Sequence, residues 1–502
     1  MNSLPRRRFL ATTAGALAGL GDLGFISKLP RVSAAEAEIG PKMVRFRPEM
    51  EPLVKLLSET PRERLLEEVA ARIKQGTTYQ ELLSAVFLAG VRDIQPRPVG
   101  FKFHAVLVIN SAHLAAQAAR DEDRWLPLFW AMDQYKGSQA RNAQEGNWHL
   151  PPVEESKVPP SHKARAAFIE AMDAWDPAAA DAAIAGFGRT AGANELFELF
   201  ARFGARDFRH IGHKAIYVAN SYRALNTIGW QHAEPVLRSL TYALMEHDGD
   251  NPSKRDAKED HAGRRNKELA GKIRSEWLAG APDDAAVSDM LATLRQANDD
   301  TAADKVVELL NRGVAPQSVW DGLFTGANEL MMRAPGIRSL HAVTTTNALH
   351  YAWKMCAGDE TRRWLLLQCA SFIPGFRGEP GKGTEIDKFE PVAPQAAGPQ
   401  ALEEIFADVS RDKNAAAAKA LSHLQSAGEG ETFRDAAQRL IYLKGNDSHD
   451  YKFSSAALED YAHVSPKWRD RFLAASVFYF KGSGSADSGL VRRTRAALGV
   501  TG

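Results

Sequence analysis

Cysteine is nearly absent: Cys356 and Cys369 are the only two in 502 residues. That excludes a small disulfide scaffold and, with no Cys-x-x-Cys pair, a structural zinc ribbon. The two are thirteen positions apart, so they either pair in an oxidising compartment or stay as buried thiols. An excess of charge is missing as well: 63 Lys and Arg stand against 62 Asp and Glu, a formal net charge of +1. No global basic field points to nucleic acid. No apolar run reaches the roughly 20 residues that span a bilayer, so no stable membrane span is expected. Strand-like alternation is almost missing. Gly-x-Ser-x-Gly, His-Glu-x-x-His, a P-loop and a dinucleotide glycine pattern are missing too, so the hydrolase, metalloprotease and nucleotide mechanisms they serve lack their residues.

What is present begins at the N-terminus. Arg6-Arg7-Arg8-Phe9-Leu10 precedes a Gly- and Ala-rich, weakly apolar run and then the small-residue stretch around Ala34-Ala35-Glu36-Ala37. A basic start, a mild apolar middle and small residues form a secretory signal. The arginine pair followed by x-Phe-Leu resembles the twin-arginine export motif. The resemblance covers residues 1–37 and implies the twin-arginine export machinery as a partner, cleavage near Ala35 or Ala37, and a periplasmic product. Its loss leaves the remainder mildly acidic. That route carries proteins already folded, often around a cofactor.

The interior repeats itself. Residues 103–115, 213–225 and 340–352 align without gaps on the pattern [His/Lys]-Ala-[Val/Ile]-x3-Asn-x2-[His/Arg]. A weaker fourth copy at 452–462 is supported by His449-x-x-Lys452, which matches His210-x-x-His213. Apolar residues at three- and four-residue spacing precede each motif at 81–91, 195–204, 319–332 and 432–443, and follow it at 124–134, 235–246, 362–372 and 470–480. These are amphipathic helices. The expected fold is all-α, an array of four helical units at 38–160, 161–280, 281–399 and 400–502. It either closes as an α/α toroid or stays open as a solenoid, because each unit buries its remaining apolar face on a neighbour.

The repeated polar positions carry the candidate chemistry. At about 100° per residue, His104 and His113 stand roughly 180° apart on one helix, while Asn110 and His113 are about 60° apart. Aligned positions put His104, Lys214, His341 and Phe453 in one column, with His113, Arg223, His350 and Ala462 in another. The densest cluster is Asp207, His210 and His213, at i, i+3 and i+6 of an expected helix, one stripe about 120° wide. Two imidazoles and a carboxylate so spaced suit Zn²⁺ or Fe²⁺, with His104 and His341 completing the shell. Lys214 and Arg223 are the expected catalytic cations, binding an anionic group of a small substrate. His113, His350, Asn110, Asn220, Asn347 and Lys136 are expected around that substrate. The asparagines either serve that purpose or satisfy neighbouring backbone, since a buried amide left unpaired costs about 1–3 kcal/mol. Lys136 sits in one of several Gly-rich loops read after the third helix of each unit, among them residues 375–383, which could cradle an anion. The Lys254 to Lys267 run mixes signs and reads as a solvated face. Together these features describe an exported metal-dependent enzyme, a hydrolase or an oxidoreductase. The competing description is a periplasmic helical-repeat scaffold with an open binding groove.

Overall fold

The computed structural model describes residues 43–377, 383–426 and 429–500. The export segment at 1–37 and the loop residues 378–382 lie outside them. Among the described residues the fold is all helical; backbone pairing of strand type is confined to one isolated bridge between Ala281 and Val314. No helix among them is long and apolar enough to cross a membrane.

Each motif lies on a helix between two others. The first group is α1 (Tyr79–Asp93), α2 (His104–Leu107), α3 (Ile109–Gln117) and α4 (Leu126–Gln144). The second is α5 (Ala193–Gly204), α6 (His213–Ile228) and α7 (Ala233–Leu244); the third is α8 (Pro316–Arg333), α9 (Ile337–Met355) and α10 (Asp359–Phe372). The fourth is α11 (Glu429–Lys444), α12 (Ser448–Tyr461) and α13 (Pro466–Ser476). Local chemistry starts several of them. Thr78 and Glu81 form a reciprocal capping box at α1, and Asp447 and Asp450 do the same at α12. Proline in the first turn of α4, α8 and α13 costs no hydrogen bond there.

The central helices are α3, α6, α9 and α12. Each packs on the helices before and after it, and they pack on one another in a cycle, α3 on α6, α6 on α9, α9 on α12 and α12 on α3. Surrounded on every side, α9 is buried at each residue from Ser339 to His350, including three consecutive threonines and Asn347. Polar groups in such a place must bond to one another or to backbone, because leaving them unpaired in the interior is costly.

Two local differences from the sequence reading matter. Residues 103–115 do not make one helix, because α2 ends at Leu107 and α3 starts only after Val108. Asp207 to Gly212 is not helical either: His210, Ile211 and Gly212 have φ of 56°, 47° and 84°, a left-handed turn that hands the chain to α6 at His213. The expected stripe of Asp207, His210 and His213 on one helix face therefore does not exist.

Candidate metal centre

The turns and helix starts bring four imidazoles to one point, each from a different part of the chain. Nε2 of His213 lies 2.9 Å from Nε2 of His104 and 2.9 Å from Nε2 of His341. His449, in the first turn of α12, stacks edge-on against His104 with ring centroids 4.7 Å apart and faces His341 at 5.4 Å. One ring nitrogen from each of His104, His341 and His449 lies within 4.8 Å of the others, the spacing of a group able to hold one ion. His341 is wholly buried, His213 nearly so, and His104 and His449 are partly open.

Hydrogen bonds to the outer nitrogens fix which lone pairs face inward. A carbonyl can only accept, so His104 Nδ1 must donate to the Phe101 carbonyl at 2.9 Å and His341 Nδ1 to the Ile337 carbonyl at 2.6 Å. Each neutral ring then turns an Nε2 lone pair toward His213. His449 Nδ1 meets the Asp447 carboxylate at 2.5 Å, and its Nε2 is buried without a hydrogen-bond partner among the described residues. That bond holds the Asp447 carboxyl down at about 2. One proton on His213 Nε2 can bridge to only one of its two neighbours, so the other contact has none. Imidazoles anchored outward through a carbonyl or carboxylate, with converging inner nitrogens, are arranged as in metal sites.

The surroundings keep His104, His213 and His341 neutral. Burial first, and the Lys452 ammonium second, pull His104, His213 and His341 well below the usual imidazole range. Lys452 Nζ is 3.4 Å from His341 Nε2 and fully enclosed, and burial brings it down to about 7.

Strained backbone supports the rings. Phe101 has φ of 47°, and Gly100 before it, with φ of 141°, lies so close to His213 that a Cβ there would meet the ring at 3.1 Å. Gly212 approaches Thr345 on α9 so closely that a Cβ would overlap its hydroxyl. Non-glycine residues in left-handed conformations cost about 1–3 kcal/mol each and collect at functional sites. Three of the few exposed large apolar side chains, Phe101, Ile211 and Ile337, also stand just before His104, His213 and His341.

Of the residues singled out in the sequence, His104, His213 and His341 meet. The others do not join them, although Asn220, Arg223 and Asn347 line a crevice that shares Lys452 with the centre. Asp207 is enclosed and accepts from Lys214 Nζ at 3.0 and 3.2 Å, so it pairs with a cation instead of facing the imidazoles. His210, in the left-handed turn, turns toward Glu246, 3.5 Å away. Lys214, the expected catalytic cation, also donates to the Glu246 carbonyl at 2.9 Å, and burial brings its ammonium down to about 8. Arg223 binds Glu459 at 2.6 Å and lies over the Tyr351 ring at 3.9 Å. Asn347 donates to Glu459 and Asp460 and so ties α9 to α12, and Asn220 donates to the Leu107 carbonyl at 2.9 Å and ties α6 to the end of α2. Asn110 is buried in α3. His113 meets the Tyr79 hydroxyl at 3.2 Å, and His350 sits among Trp320, Phe324 and His463. Lys136 lies inside α4 and not in a loop; its ammonium is spent on the Leu57 and Ser58 carbonyls. Both cysteines are free and buried.

The aligned column was one residue out in the second copy. The left-handed turn starts α6 at His213, so His213 and not Lys214 stands level with His104 and His341. In the fourth copy Phe453 packs on Tyr479 and Phe480, while His449 and Lys452, one turn apart, face the centre. His449 was absent from the expected ligands, although its match to His210-x-x-His213 was the signal that could have found it. Below the imidazoles a crevice lined by Ser111, Asn220, Arg223, Thr344, Lys452 and Ser455 among others has about 10 Å³ open to a water centre, room for about one molecule.

Comparison with family models, with curated proteins and with solved structures returned no match.

Proposed function

We propose that this chain is a metal-dependent enzyme whose divalent ion, zinc or iron, is held among the imidazoles of His104, His213, His341 and His449. The observation that carries the reading is the pair of 2.9 Å Nε2 contacts among rings whose outer nitrogens are anchored. Two nitrogens each about 2.0–2.1 Å from one ion are separated by about 2.9 Å at a right angle, as in octahedral iron, and by about 3.3 Å at the tetrahedral angle usual for zinc. The spacing therefore supports a shared cation after a small opening of the contacts. All donors are imidazole nitrogens, which suits borderline metals and leaves the ion its full charge. Such an ion activates a water for hydrolysis, or dioxygen in the case of iron. Lys452, near neutrality and one contact away, is suited to move a proton or to hold the anionic group of a small substrate. Phe101, Ile211 and Ile337 give the approach an apolar rim.

The four helical units are proposed as a repeat closed around these rings, which agrees with the cyclic packing of α3, α6, α9 and α12. The scaffold alternative requires an open groove along those helices, and a crevice with room for about one water speaks against it. Residues 1–37 are proposed to direct twin-arginine export to the periplasm. Replacing Arg6 and Arg7 by Lys should retain the protein in the cytoplasm.

Elemental analysis of protein purified without a histidine tag tests the centre. About one equivalent of metal is expected, lost in a His104→Ala/His341→Ala double variant whose circular dichroism is unchanged. Native protein that is folded and cannot be loaded with zinc or iron overturns the reading.

A further inference from the structure

Away from the imidazoles, a cleft of about 780 Å³ opens between α5, the helix Ser161–Asp173, the segment 252–267 and the start of α10. Its volume is that of a site for an organic molecule and many times that of an inorganic anion. Leu199, Phe203, Trp175 and Trp364 give it a buried apolar lining. Basic side chains dominate the charged lining, seven against four acids. Some of each sign are already paired: Asp260 is bound by Arg209 and Asp256 by Arg264, while Arg165 binds Glu195. Arg202, Lys254 and Lys267 have no ion-pair partner among the described residues. Arg206, stacked 3.7 Å above the Trp175 ring, gives one N–H to the Met172 carbonyl; its Nε, 3.9 Å from the Asp207 carboxylate, and one terminal nitrogen are buried without a hydrogen-bond partner. The mixed-sign run from Lys254 to Lys267, which reads as a solvated face, thus supplies one wall of a concave site.

We propose that this cleft is a second binding site, for a small organic anion with a flat apolar body. The aromatic and aliphatic floor removes the body from water, contributing about 25 cal/mol per Å² of apolar surface buried. The unpaired cations of the rim meet the anionic head, where guanidinium groups favour carboxylate, sulfonate or phosphate. Neither part suffices alone. An inorganic anion leaves the floor wet, and an uncharged aromatic leaves Arg202 and Lys267 without a counter-charge.

Three probes separate these contributions. They are 8-anilinonaphthalene-1-sulfonate, its uncharged relative N-phenyl-1-naphthylamine, and inorganic sulfate, each titrated calorimetrically into the full-length folded protein. One saturable equivalent of the sulfonate is expected, with the other two at least tenfold weaker. Arg202 and Lys267 are exposed, so Arg202→Glu and Lys267→Glu should leave the melting curve in place and weaken the sulfonate at least fivefold each. Equal binding of the charged and uncharged probes would mean a general apolar surface and would overturn the proposal. Charge-reversed variants that bind the sulfonate as the native chain does would mean a different location and would overturn it too.

Discussion

Asp447 shows how one side chain can serve both backbone and site. Its carboxylate caps α12 and also accepts from His449 Nδ1, so it fixes the start of the helix and the ring that the helix presents. Outer partners of metal-bound imidazoles typically contribute 10–100-fold in metal affinity. Asp447→Asn keeps a capping side chain and should weaken zinc binding by about that factor, read in competition with a chromophoric chelator, while helicity is retained. Asp460, on the other end of the same helix, makes a different prediction. It is fully enclosed, accepts from Asn347 on one oxygen and has no partner on the other; Glu459, Arg223 and Cys369 are the titratable groups facing it. Burial first, and Glu459 second, push its carboxyl well above the usual range. A raised folded-state value means that the folded chain binds the proton more tightly than the unfolded one. Its contribution is therefore intact below about pH 4 and is lost as pH rises through the raised value. Asp460→Asn should remove this loss, making the variant more stable than native protein by about 1–3 kcal/mol at mildly alkaline pH and flattening the stability profile there. Denaturant unfolding at pH 5 and pH 8 checks both the sign and the slope. At this scale the sequence disclosed residue types but not partners. His104 and His341 were legible because imidazole recurred at one helical position, whereas His213 was picked out only as part of a stripe with Asp207 and His210 that the left-handed turn abolishes. Lys214 and Arg223 each pair with a carboxylate, and a cation on a core helix looks the same in sequence whether it faces a substrate or an acidic side chain.

Helices were far more legible than turns. Amphipathic spacing is a local signal, and the stretches at 81–91, 195–204, 319–332 and 432–443 all lie inside α1, α5, α8 and α11. The turn before α6 has no such signal. His210 and Ile211 take left-handed conformations, which histidine tolerates and a β-branched isoleucine resists, held between α9 and the segment around Glu246. Reading 207–213 as helix follows from propensity and is overridden by tertiary contact. One such turn moved the column by one residue and exchanged Lys214 for His213 at the centre. Gly212 is the residue that permits it. Gly212→Ala adds left-handed strain, roughly 1–2 kcal/mol, and a Cβ overlapping Thr345. Gly76 offers the control, since its φ is 103° and nothing lies within 4 Å of a Cβ there. Gly76→Ala should lose only the backbone part of the stability and keep full metal content. Gly212→Ala should melt lower still and bind zinc more weakly, because His213 moves with the turn. Equal melting points and equal zinc affinities in the two variants would remove the proposed link between this turn and the centre.

At the scale of the molecule, the separation of the rings along the chain carries the consequence. His104 and His213 are 109 residues apart, and His213 and His341 are 128 apart. An ion held by both pairs joins segments that unfolding would disperse, and the dispersed chain has no preformed site. A ligand that binds only the folded chain stabilises it by RT ln(1 + [L]/Kd), about 2.7 kcal/mol when free metal is one hundred times Kd. Chelator treatment should therefore lower the melting temperature of the native protein, and stoichiometric zinc should restore it. The restored gain should grow with the logarithm of free zinc. His104→Ala/His341→Ala protein should melt at one temperature with and without zinc, because its remaining donors no longer bridge the distant segments. The comparison also separates two explanations for a low melting point in that variant. If lost packing were the cause, the apo native protein would still melt well above it. If lost metal is the cause, the two apo proteins should melt close together, and only the native chain should respond when the ion returns.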